Sequence, residues 1–121
     1  MNYRATTHAQ MVAALAKNGK YILAEATPEK MHLIHMAVGI AGEAGELLDA
    51  VKKHVFYDKP LDVPNVIEEL GDIEFYLEGL RAALSIDRDR TLVENMAKLG
   101  KRYPNYEYTN QRAIERADKD E

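Results

Sequence analysis

The sequence predicts an all-α, four-helix bundle-like protein, and three observations carry that reading. Apolar residues recur at helical spacing through long stretches, as in Leu33, Ala37, Ile40, Ala44, Leu47 and Val51. Helix punctuation stands where those stretches begin and end, and no alternating strand pattern of useful length interrupts them. With 121 residues, 46% of them hydrophobic, the chain has room for a single domain over residues 1–121 and one core.

The elements follow in order. Met11, Val12, Leu15 and Ala16 give a first helix over about 5–17, broken at Asn18-Gly19 and followed by a loop. Thr27 is an N-cap and Pro28 a first helical residue, so a long helix is expected over about 28–55. His54 to Pro60 closes it, and Val63-Pro64 opens a third helix over about 64–85. Asp87 caps a fourth over about 88–102, stopped before Pro104. Residues 109–118 fit a short C-terminal helix and equally a solvated or partner-bound tail.

Composition narrows the function classes. A formal charge of −4 argues against a general nucleic-acid backbone binder, which carries a basic face, while a small phosphorylated ligand held through metal stays compatible. The absence of cysteine excludes disulfides and thiolate zinc sites and fits a reducing cytoplasm. The N-terminus lacks an apolar signal core, and no run approaches the roughly 18 apolar residues of a membrane span. A cytoplasmic protein is expected, without membrane or nucleic-acid partner.

The chemistry is concentrated in residues 43–72. Glu43-Ala44-Gly45-Glu46 and Glu69-Leu70-Gly71-Asp72 each place two carboxylates three residues apart on one helix face. Acidic pairs at that spacing are common on solvated faces, and either alone reads as surface. The rest of the third helix, however, already has a polar outer face in Glu74, Glu78 and Arg81 and an apolar stripe in Val66, Leu70, Ile73, Leu77, Leu80 and Leu84. On the long helix only a narrow strip is polar, holding His32, His35, Gly39, Glu43, Glu46 and Lys53. Gly39, Gly42 and Gly45 cost the helix roughly 1 kcal/mol each against Ala, which points to close approach of a helix or ligand. Two facing claws would offer up to eight oxygens from Glu43, Glu46, Glu69 and Asp72. That donor set suits Mg²⁺, with Mn²⁺ as substitute.

The ordered ExxE and ExxD pair resembles the MazG-type all-α nucleoside triphosphate pyrophosphohydrolases. So do Ile40–Asp62 (IAGEAGELLDAVKKHVFYDKPLD), the following EELGDIEFYL, and NMAKLGKRYP from Asn95 to Pro104, as in the small single-domain enzymes of bacteria and phages. The resemblance implies Mg²⁺-dependent hydrolysis of (d)NTP to (d)NMP and pyrophosphate. It also implies that Asn95 and Lys98 approach the substrate phosphates and that Tyr76 helps position the nucleotide. Glu46 is the candidate for orienting or deprotonating water.

Other residues are read from spacing. Arg102 shares a face with Asn95 and Lys98, although a basic helix end complementing its own dipole accounts for it equally well. Lys53 lies on the site-facing strip and is assigned to substrate; His35, two turns before Glu43, is a candidate contact to base or sugar or a structural histidine. Two other classes compete. A non-catalytic helical interaction module would be indifferent to metal, and a ferritin-like di-metal carboxylate protein would need a second copy of Glu29-x-x-His32, which the chain lacks. Because the long helix is apolar over more than half its surface, a homodimer or homotetramer is expected, with Arg112 and Arg116 of the tail reaching toward a partner's site.

Overall fold

The computed structural model describes residues 7–119, all of whose regular elements are helical. Contacts divide the chain into two units, Met1–His32 and Leu33–Glu121.

The first unit holds α1 (His8–Leu15), α2 (Gly19–Glu25) and the opening turn of α3 (Pro28–Phe56). Thr7 and Gln10 cap α1 reciprocally: each backbone N–H donates to the other's side-chain oxygen at 3.2 Å. The expected helix over 5–17 is shorter, and its residues 5 and 6 lie outside the described ones. The segment expected as a loop is itself helical. Asn18 does not merely end α1; its Oδ1 accepts from the Lys20 N–H at 2.8 Å and caps α2. Thr27 Oγ1 accepts from the Lys30 N–H at 3.2 Å, which starts α3 at Pro28 as the sequence indicates. Neither α1 nor α2 buries a side chain.

The second unit is built on α3 from Leu33 onward, α4 (Val63–Ala83) and α5 (Arg88–Arg102). Met36 lies against Gly79 and Tyr76 against Gly39, while Glu43 meets Glu69 and Asp72, so α3 and α4 run antiparallel. Gly39 is required at its position: the Tyr76 ring occupies the place a Cβ would take. The turn between the helices is fastened by His54 Nδ1 against the Lys59 carbonyl at 2.8 Å, with Asp58 in the left-handed region at φ 51°. Asp62 caps α4 by accepting from the Asn65 N–H at 3.1 Å. Ser85, also left-handed at φ 54°, ends it as the Ile86 N–H reaches the Arg81 carbonyl at 2.9 Å.

Buried and half-buried positions on α3 include Met36, Ile40, Glu43, Leu47 and Ala50, and on α4 Val66, Glu69, Ile73, Tyr76 and Leu80. Steps of three and four make this a seam of the coiled-coil kind, and Glu43 and Glu69 occupy seam positions. The apolar stripe expected on α4 is half-buried at Val66, Ile73, Leu77 and Leu80, but at the 69–70 step the inside place goes to Glu69, 7% exposed, whereas Leu70 is 49% exposed.

After α5 the chain folds back along it through a 3-10 turn (Pro104–Tyr106), α6 (Asn110–Glu115) and a last 3-10 turn (Ala117–Lys119). Tyr106 donates its hydroxyl to the Met96 carbonyl at 3.3 Å. Arg102 forks onto Asp118 at 2.7 and 3.1 Å. Arg112 donates to the Glu107 carbonyl of its own segment at 2.8 Å.

Candidate metal centre and adjoining cavity

The α3–α4 seam places the two carboxylate pairs on facing helices. One oxygen each from Glu43, Glu69 and Asp72 lies within 4.8 Å of the others. Oxygens on opposite sides of a hard cation lie about 4–5 Å apart at metal–oxygen distances of 2.0–2.6 Å, so this cluster is of the right size. The Oε2 atoms of Glu43 and Glu69 are buried with no hydrogen-bond partner, a costly state that a cation would relieve.

Electrostatics say the same. The Glu69 pKa is pushed up to about 7, first by the hydrogen bond it would share with Glu43, then by burial, then by the hydrogen bond and charge of Glu46. Glu46 therefore faces Glu69, although it is not one of the three residues in the tight cluster. Among the described residues no histidine joins the group.

Beside the cluster lies a cavity of about 520 Å³ lined by Gly42, Gly45, Glu46, Asp49, Asn65 and Glu69. A Cβ on Gly42 or Gly45 would meet nothing within 4 Å, so of the three glycines singled out on α3 only Gly39 meets the facing helix among the described residues. Asp49 and Asn65 are new to the site. Both had a signal in the sequence, since Asp49 continues the run Glu43, Glu46 by another three residues and Asn65 precedes Glu69 by four.

The remaining sequence candidates are distributed more widely. Tyr76 packs on Gly39, with its ring centroid 6.1 Å from that of His35 and 5.1 Å from that of Phe75. Lys53 is bound to Asp49 at 2.9 Å, and that partner raises its pKa. Asn95 and Lys98 are exposed on α5, a turn apart. Arg102 is not free for a ligand in this arrangement: it is held by Asp118, whose side chain is only 3% exposed and whose pKa that guanidinium lowers to about 2.

Fold and site together define an all-helical protein with a carboxylate centre suited to a cation. The family is settled by comparison: the model of the MazG nucleotide pyrophosphohydrolase domain matches residues 31–107, and the chain belongs to that family. No curated protein and no solved structure matches it significantly. The matched stretch contains the whole α3–α4 cluster, its cavity and α5. No described helix is long and apolar enough to cross a membrane.

Proposed function

We propose that the chain, acting as one domain, is a Mg²⁺-dependent nucleoside triphosphate pyrophosphohydrolase that converts (d)NTP to (d)NMP and pyrophosphate. The observation that carries this reading is the buried, unpaired Glu69 oxygen set between Glu43 and Asp72 in a MazG domain. Bound there, Mg²⁺ would neutralise the polyphosphate and lower the pKa of a coordinated water.

Glu43, Glu69 and Asp72 are the ligands on this reading. Glu46, exposed like Asp72 but outside the tight cluster, completes the shell or takes the proton of the attacking water. The water oxygen bonds to phosphorus as the bond between the α- and β-phosphates breaks, and pyrophosphate leaves with the electron pair. Asn95 and Lys98 supply donors to the phosphates, and Tyr76 with His35 borders the nucleotide. Lys53 reaches substrate only by leaving Asp49. Arg102 is better assigned to holding the C-terminal segment than to substrate, given its fork on Asp118.

Chromatography of reactions with and without Mg²⁺ tests the activity. Monophosphate and pyrophosphate are expected, with turnover lost on chelation; diphosphate and orthophosphate would place the cut at another bond. Glu43→Gln, Glu69→Gln and Asp72→Asn are expected to abolish turnover while the metal-free protein stays folded, because each removes a repelling charge. Glu46→Gln is expected to cost about 10²–10⁴-fold in rate if it handles the proton.

The working unit is a homo-oligomer, a dimer or a dimer of dimers. Among large apolar side chains of the described residues only Met36 is buried, while Val38, Leu48, Phe56 and Phe75 stand open. Large apolar side chains left open favour a cover, and a self-complementary two-fold contact is the commonest one.

A further inference from the structure

Helix α3 carries two seams. The one that faces α4 runs through Met36, Ile40, Glu43, Leu47 and Ala50. The residue after each of these, Ala37, Ala41, Ala44, Leu48 and Val51, is apolar as well, and Val55 extends the series with the same alternating steps of four and three. One residue is about 100° of helix, so the second stripe lies about 100° round α3 from the first along its whole length. All six of its residues are exposed, Leu48 at 67%, Val51 at 40% and Val55 at 61%. A stripe that keeps the heptad spacing and stays apolar from Ala37 to Val55 suits contact with another helix.

Size and charge say which helix that is. Size is graded along the stripe: the N-terminal half is alanine throughout, and the C-terminal half is Leu48, Val51 and Val55. Laid antiparallel on an identical stripe, it sets Ala37 against Val55, Ala41 against Val51 and Ala44 against Leu48. Every layer then joins a small side chain to a large one, which is how facing helices fill the space between them. Parallel pairing would set alanine on alanine at one end and crowd the large residues at the other. Charge selects the same occupant. With a formal charge of −4 on each, two copies repel overall and come close only where uncharged faces meet. None of the six stripe residues is charged, and Glu46, level with the middle of the stripe, lies about 160° round the helix from both Ala44 and Leu48. A foreign partner would find no charge here by which to be selected, whereas a second copy finds its own complement in size.

Resting on the homo-oligomer proposed above, we infer that α3 pairs through this stripe with the α3 of a second copy, antiparallel about a two-fold axis at the level of Glu46. The contact is isologous: Ala37 of each copy meets Val55 of the other. It puts α3 at a corner between α4 and the second α3, and it leaves Glu46 on the side away from the contact.

The chain has no cysteine, so introduced thiols report the register directly. Ala37→Cys and Val55→Cys in one chain are expected to give a cross-linked dimer on mild oxidation, because the two positions are about 27 Å apart within a copy but adjacent across the pair. Either substitution alone is expected to give none. In sedimentation measurements Ala41→Leu is expected to raise the dissociation constant of the pair tenfold or more, with helical circular dichroism unchanged. Adding Val51→Ala is expected to restore assembly, since the enlarged residue then faces a shortened one; local loss of structure would not be repaired in this way. Cross-linking by a single-cysteine variant, or a loosened Ala41→Leu that Val51→Ala does not restore, overturns the antiparallel register. An oligomeric wild type in which the double-cysteine variant stays uncross-linked and Ala41→Leu assembles normally overturns the stripe, while the oligomer stands on another face. A wild type of 13.7 kDa in solution removes the oligomer and the inference together.

Discussion

Glu69 is a carboxylate in a position that its helix would normally fill with leucine. Its surroundings favour the protonated form in the metal-free protein, so folding takes up a proton between the ordinary value of 4.5 and the shifted value of about 7. The sign follows from linkage: the folded state binds more protons than the unfolded one in that window, and stability falls as pH rises through it. The Tm of the metal-free protein is therefore expected to decline from pH 4.5 to about 7. Glu69→Gln should flatten that decline, and saturating Mg²⁺ should reverse it, because the cation competes with the proton. A slope unchanged by both, measured by differential scanning fluorimetry with chelator and with metal, would show that some other group controls the titration. Gly39 makes a contrasting case at the same scale. Alanine there gains about 1 kcal/mol in helix propensity but drives a methyl group into the Tyr76 ring, at about 1–3 kcal/mol for overpacking. A net loss of stability is expected in denaturant titration, together with impaired nucleotide positioning through Tyr76.

At the scale of elements, α5 and the segment after it form one piece of machinery. The helix would present Asn95 and Lys98; Tyr106 and the Arg102–Asp118 fork bind the following segment to its length, and Arg112 ties that segment to itself through the Pro104 and Glu107 carbonyls. Asp118 titrates well below its ordinary value of 3.8, at about 2, because the guanidinium stabilises its charged form. The contribution of the pair is therefore complete above pH 3.8 and disappears as pH falls toward 2. Asp118→Asn or Arg102→Ala should release residues 103–119, seen as faster amide exchange there and faster tryptic cleavage at Arg112 and Arg116. The α3–α4 seam should keep its protection. Uniform loss of protection along the chain would mean that the fork supports the whole fold instead of one segment.

At the scale of the whole molecule, apolar side chains outnumber the places available to bury them. Exposed Phe56 and Phe75 alone, at 75% and 68%, would give a monomer an aggregation-prone surface. Light scattering at micromolar concentration is expected to return a multiple of 13.7 kDa. A single species at that mass would remove the oligomer from the account. Charge reversal at an exposed apolar position such as Leu48→Glu or Phe75→Glu should split the assembly, and activity measured in parallel shows whether the nucleotide site needs a second copy.

What the sequence by itself determined is what local chemistry controls. Thr27-Pro28, Val63-Pro64, Asp87 and Pro104 bound the three long helices to within a residue or two, since caps and proline act through their own backbone neighbours. The i,i+3 spacing of Glu43 with Glu46 and of Glu69 with Asp72 likewise follows from helical geometry alone. The α2 helix was missed because Asn18-Gly19 is as good a start as a stop, and only the hydrogen bond to the Lys20 N–H separates the two. Tertiary structure alone decided which residue at the 69–70 step of α4 meets α3. Leu70 and Glu69 are both compatible with a buried stripe one residue apart, and the rotation of one helix against the other put the carboxylate inside. It likewise decided that Asn65 and Asp49 share a cavity and that Arg102 is claimed by Asp118, sixteen residues away. Partners distant in the chain are chosen by packing and charge pairing across elements, and periodicity within one helix contains no information about them.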